Sequence, residues 1–335
     1  LRQKCSENKS KFPKRKENKR EKNAAEILFS WYLTYLNPVT SVKNMEERLA
    51  DQFERLNKPP LEYLKGVEDF YNAYCEMLEM KDWHAHLLSY LASDFWRIIL
   101  CTSVLHHYSD QDIEALKELL VKFYYQNWVA EQTEPKKQTN CNIIKALKEK
   151  QSVENIASIV KEYLDDDNNK ITQNFREKLK DDHLYEKHKK ASKNSWLKPV
   201  LILVEYFVSD DPKPKRIQMD KNLHVEHILP QQPGSSSQWV KDFSEEERGL
   251  YTHSLANLTL LGGTKNAQAL NLDFKDKKKI YMGEEIKLNK KKPFKVMTCY
   301  KMTIDIAHHY TEWTPKSLEK RKEELIQKIE SVLTL

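Results

Sequence analysis

Two short runs constrain this chain most: HVEHIL, residues 224–229, stopped by Pro230, and the apolar ANLTLL, residues 256–261, stopped by Gly262 and Gly263. The first is rich in aliphatic and β-branched residues, and proline cannot donate to a continuing ladder, so it reads as a strand ending in a turn. The second run leads into a glycine turn, after which Thr264 is the expected N-cap of a short helix carrying Asn266. The predicted unit is strand, loop, strand, helix: a ββ hairpin with a helix packed across it.

Such a scaffold can hold Glu226, His227 and Asn266 on rigid elements, as a metal site requires. An acid-His-x-x-Pro element, Glu226 to Pro230, is followed by Asn257 and, nine positions on, Asn266. This order and spacing are those of metal-dependent nucleases of the His-Asn-His (HNH) type. A histidine between aliphatic residues on a strand is more often a satisfied, partly buried side chain, so His227 alone would carry little. His224 stands three residues from His227, and in a regular strand that spacing faces opposite sides, so the two are not read as a metal pair.

Further pieces follow in order: Trp239, the SLANLTLL run at 254–261, NLDFKDKKKIY at 271–281, and Trp313 ahead of a Lys- and Arg-bearing helix. From about Trp196 onward the chain resembles the C-terminal nuclease domain of GmrSD-type modification-dependent restriction enzymes, an HNH branch. The resemblance implies that His227 is the general base, Asn257 the residue orienting the backbone around it, and Glu226 and Asn266 the ligands of one divalent ion, Mg²⁺ or Mn²⁺. Imidazole and oxygen donors suit those roles. One departure from many HNH domains is that no CxxC pair is present for a structural zinc.

The resemblance also implies a larger enzyme, with an N-terminal nucleotide-handling domain whose Asp-Gly-Gln-Gln-Arg type motif is absent here. The expected substrate is DNA, including modified phage DNA, and no nucleotide is expected in this fragment. The basic stretch 1–23 then reads as a linker or the end of the missing domain.

The rest is predominantly helical in pattern. Residues 83–100, 113–129 and 143–164 carry apolar residues every three or four positions, and aromatics such as Trp96, Phe123 and Trp128 fall on that period, which marks them as core. The expected architecture is mainly α: a helical domain at 24–193, then a ββα-metal (HNH) nuclease domain at 194–335 wrapped by helices. Ser244 with Glu247 signals a capping box, and Thr314-Pro315 starts the last helix. The most apolar stretch, 200–208, is interrupted by Glu205 and too short for a membrane span. Five scattered cysteines without pairing or metal spacing fit a reducing, cytoplasmic setting.

A formal net charge of +6 on 335 residues does not by itself argue for nucleic acid. Nine lysines crowd between positions 275 and 295, and Lys265, Lys277, Lys278 and Lys279 are the expected phosphate contacts. The alternatives are a non-catalytic DNA-binding module with a degenerate hairpin, or a helical scaffold without nucleic acid.

Overall fold

Apolar residues at helical spacing make most of this chain α-helix, and side-chain caps decide where many of its helices begin. The computed structural model describes residues 17–189, 195–262, 269–286, 294–295 and 300–335. In chain order the helices before the first strand are α1 (Glu17–Leu36), α2 (Met45–Leu56), α3 (Pro60–Leu78), α4 (Trp83–Leu88), α5 (Phe95–Leu105), α6 (Asp110–Glu131), α7 (Lys137–Lys148), α8 (Val153–Asp165), α9 (Ile171–Leu179), α10 (Leu184–Lys189) and α11 (Leu197–Ser209). Then come β1 (Leu223–His227), α12 (Gln238–Asp242), α13 (Glu245–Tyr251), a 3-10 turn (Leu255–Asn257), β2 (Leu258–Gly262) and α14 (Phe274–Met282). The chain closes with β3 (Glu285–Ile286), β4 (Phe294–Lys295), α15 (Lys301–His309) and α16 (Pro315–Leu333).

The capping box at Ser244 is present: Glu247 N donates to Ser244 Oγ at 3.1 Å, and Ser244 N donates to Glu247 Oε2 at 2.7 Å. Thr314 caps α16, with Pro315 in its first turn. Two long periodic runs are each broken into two helices. The run at 143–164 breaks where Lys150 takes a left-handed φ of 56° and Ser152 caps the next helix. The run at 83–100 breaks at 89–94, where the Ser89 hydroxyl donates to the His86 carbonyl at 2.7 Å.

One apolar cluster includes Tyr32 and Phe70, Leu120 and Phe123 of α6, Leu201 of α11, Leu258 and Leu260 of β2, and Ile329 of α16. A second gathers Ile228, Leu229, Trp239, Leu261, Phe274, Tyr281, Ile306 and Trp313. The hairpin stands between them. Its strands pair antiparallel, with Val225 opposite Leu260, Glu226 opposite Thr259 and His227 opposite Leu258. Because side chains alternate along a strand, Leu223, Val225 and His227 share one face with Leu258 and Leu260, towards the first cluster. Glu226, Thr259 and Leu261 share the other.

Glu205 shows why the apolar run of α11 tolerates a carboxylate. Its two oxygens accept the backbone N–H groups of Lys301 at 2.8 Å and Met302 at 2.9 Å, capping α15 from a different helix. No helix among the described residues is long and apolar enough to cross a membrane. The chain is mainly helical, as expected. The helix expected after β2, with Thr264, Lys265 and Asn266, lies outside the described residues.

Candidate active site

His227 is the last residue of β1, and the backbone beyond it is held by Asn257. Ile228 N donates to the Asn257 carbonyl at 3.0 Å. Leu229 N donates to Asn257 Oδ1 at 2.7 Å, while Asn257 Nδ2 donates back to the Leu229 carbonyl at 2.8 Å and to the Thr252 carbonyl at 2.9 Å. Trp313 Nε1 adds a donor to Oδ1 at 3.2 Å. Asn257 is fully buried and contacts only other parts of the chain through these bonds, so it shapes the turn that follows His227.

Arg321 braces the same turn from α16. Its guanidinium donates to the carbonyls on either side of Asn257: that of Ala256, and that of Leu258 at 3.0 Å. The planar fork spans the two acceptors, and burial pulls its pKa down to about 10.

Glu226 is buried on the opposite face. Lys277 Nζ of α14 donates to its Oε1 at 2.7 Å, and Tyr281 Oη donates to the same oxygen at 3.2 Å. Lys277 also donates to the His227 carbonyl at 2.6 Å, so one ammonium joins the carboxylate on one side of the strand to the backbone of the histidine beside it. Burial lifts the Glu226 carboxyl above its usual range despite Lys277 and Tyr281, and burial likewise pulls the Lys277 ammonium below its own.

The phosphate-binding expectation for Lys277 is therefore corrected. A fully buried ammonium committed to Glu226 and to the His227 carbonyl does not contact a DNA backbone in this arrangement. Lys278, half-buried, donates to the Tyr310 carbonyl at 2.8 Å, and Lys279 pairs with Asp276 at 2.8 Å on the surface. Lys265 and Asn266 lie outside the described residues, as do the lysines between 287 and 293.

On the His227 face the imidazole is nearly buried among aromatic rings. Tyr185 of α10 meets it edge-to-face, with centroids 4.2 Å apart, and the His253 ring lies 5.6 Å away. The Gln231 amide nitrogen is 3.3 Å from Nδ1. His224 turns away and shares its Nε2 with the Lys221 carbonyl at 2.9 Å.

A second cluster with metal-type ligands, Asp82, His84 and Glu114, is found far along the chain from this site. The Lys117 ammonium lies within it, bonded to Asp82 and 2.6 Å from Glu114, and Asp82 also caps α4 through Ala85 N at 2.9 Å. A lysine already supplies the positive charge that these carboxylates call for.

The sequence model of the family described as GmrSD restriction endonucleases, C-terminal domain, matches residues 145–328, more than half of the chain. This chain belongs to that family. No curated protein matches it significantly. The matched region contains α10 and α11 as well as the hairpin, so Tyr185 falls within the GmrSD domain.

Several residues of this site are not marked by the sequence motif. Lys277 and Tyr281 stand four apart on α14, in phase with the buried Phe274 and Ile280, and that phase was the available signal. Tyr185 and His253 carried no motif signal at all.

Proposed function

We propose that this chain is a metal-dependent DNA endonuclease of the HNH type, the C-terminal part of a cytoplasmic, modification-dependent anti-phage restriction enzyme. Membership of the GmrSD family supports a restriction nuclease domain. The observation that carries the finer reading is the two-way clamp of Asn257 on Leu229, which holds the turn after His227 as an orienting asparagine should.

In this reading His227 takes a proton from the attacking water, a task suited to an imidazole. Glu226 and Asn266 would hold one divalent ion, Mg²⁺ or Mn²⁺. The Glu226 environment fits a cation: both protein donors sit on Oε1, and among the described residues none meets Oε2. A buried carboxyl whose ionised form is disfavoured gains from a second positive charge. The ion when bound would stabilise charge on the scissile phosphate and leaving oxygen. Lys277 holds the carboxylate and the His227 backbone in fixed relation. One site per chain implies nicking by a monomer. Lys278, Lys279 and Lys265 are the remaining candidates for phosphate contact, and the intact enzyme would add an N-terminal nucleotide-handling domain.

The commitment of Glu226 Oε1 to Lys277 favours a second reading, a DNA-binding module whose hairpin no longer takes a metal. Conversion of supercoiled plasmid with Mg²⁺ or Mn²⁺ separates the two. The nuclease reading expects nicking by the wild type and none with His227→Ala or with EDTA. Salt-sensitive DNA retention without any cleavage would overturn it in favour of the binding module.

A further inference from the structure

We propose that Tyr185 is a positioning residue of the nuclease site, which fixes the His227 imidazole from outside the hairpin. The inference rests on the nuclease reading of His227. A general base works only if its ring is held in one orientation, and a displacement of about 1 Å can cost on the order of 10²-fold in rate. Hydrogen bonding to both ring nitrogens would fix the ring but consume the lone pair that must take the proton. An aromatic neighbour fixes it without using either nitrogen.

Aromatic contact of this kind is present at His227, beside the Gln231 amide near Nδ1. Tyr185 and His227 lie at an interplanar angle of 86° with centroids 4.2 Å apart, and His253 stands at 85° to His227. Tyr185 is itself held: its ring is parallel to that of His253 within 9°, at 5.8 Å, and its backbone N donates to the His253 carbonyl at 3.0 Å. The next residue on α10, Glu186, places Oε1 3.4 Å from His253 Nε2. Tyr185 and His253 thus form a corner, joined by the ring stack, the backbone hydrogen bond and the Glu186–His253 contact, with the His227 ring perpendicular to both. Tyr185 lies outside the strand–loop–strand motif, and His253 stands in its loop. They come from a six-residue helix and from the turn after α13, joined only by folding.

The test uses the full chain and supercoiled plasmid with Mg²⁺, with Tyr185→Leu, Tyr185→Ala, Tyr185→Phe and His227→Ala compared at matched thermal midpoints. Leucine keeps apolar volume without a ring, so it reports on ring contact even where alanine fails to fold. The expected result is a kcat lowered by about 10²-fold in Tyr185→Leu with KM for DNA unchanged, and most of the loss recovered in Tyr185→Phe. The His227 imidazole NMR signal, assigned by its disappearance in His227→Ala, should move in Tyr185→Leu and return in Tyr185→Phe.

Wild-type kcat in Tyr185→Leu beside an inactive His227→Ala would overturn the positioning role while leaving the nuclease reading intact. An equal loss in Tyr185→Phe would assign the effect to the hydroxyl, and a raised KM at unchanged kcat would make Tyr185 a DNA contact; either overturns the proposal. Cleavage by His227→Ala at the wild-type rate would remove the nuclease reading, and the positioning role with it.

Discussion

Lys277 and Glu226 form a buried ion pair behind the hairpin, 2.7 Å from Nζ to Oε1, and the same ammonium holds the His227 carbonyl at 2.6 Å. A charge taken out of water is tolerable only while its partner remains. Lys277→Met should therefore destabilise the fold by about 3–5 kcal/mol, because it leaves Glu226 buried and uncompensated. The double variant Glu226→Gln with Lys277→Met should recover a large part of that loss. Urea unfolding midpoints measure both, and equal destabilisation by the single and double variants would contradict the pairing.

Asn257 satisfies two backbone carbonyls and one backbone N–H with a single amide. Asn257→Asp keeps the acceptor for Leu229 N but strips the donors to Leu229 and Thr252, at about 1–3 kcal/mol for each buried carbonyl left unmet. Nicking should be lost along with this stability, since the turn after His227 is no longer fixed. Retained activity at reduced stability would show that the turn does not need this clamp.

Arg321 should not be replaceable by lysine. Its fork reaches the carbonyls of Ala256 and Leu258 together, whereas an ammonium on a flexible stem presents no such planar pair of donors. Arg321→Lys is expected to lower the thermal midpoint nearly as far as Arg321→Ala. Full recovery by lysine would mean that charge rather than geometry matters there.

Acid sensitivity should trace in part to Asp82. Burial alone would raise its carboxyl, but the hydrogen bond from Lys117 and that from Ala85 N outweigh burial and hold it below the usual aspartate range. A carboxylate depressed in the folded state binds fewer protons there than when unfolded. Its contribution is fully present above the unfolded pKa of about 3.9 and is lost as pH falls through the lower folded value. Asp82→Asn should flatten the fall in stability below about pH 4. A constant offset from wild type across urea melts between neutral and acid pH would refute this.

The hairpin was legible because its signals are local. Alternation, Pro230 and the 254–261 run act within a few residues of one another, and the two strands pair as those runs require. The Ser244 capping box and the Thr314-Pro315 start were legible for the same reason. Asn257 was singled out by its place in the motif, and its bonds suit the orienting role.

By itself the sequence determined the order of elements, the identity of the residues at the end of β1, and the helical phase that puts Lys277 beside Phe274 and Tyr281. It could not show which of the neighbouring lysines loses its water. Lys277, Lys278 and Lys279 are chemically alike, yet one is sealed against a carboxylate 51 positions away, one is half-buried on a carbonyl and one stands at the surface. Tyr185 and His253 likewise reach His227 only because α10 docks on the turn after α13. Backbone propensity and capping depend on near neighbours, whereas the burial of a charge and the facing of two rings depend on long-range packing, which the tertiary structure alone decides.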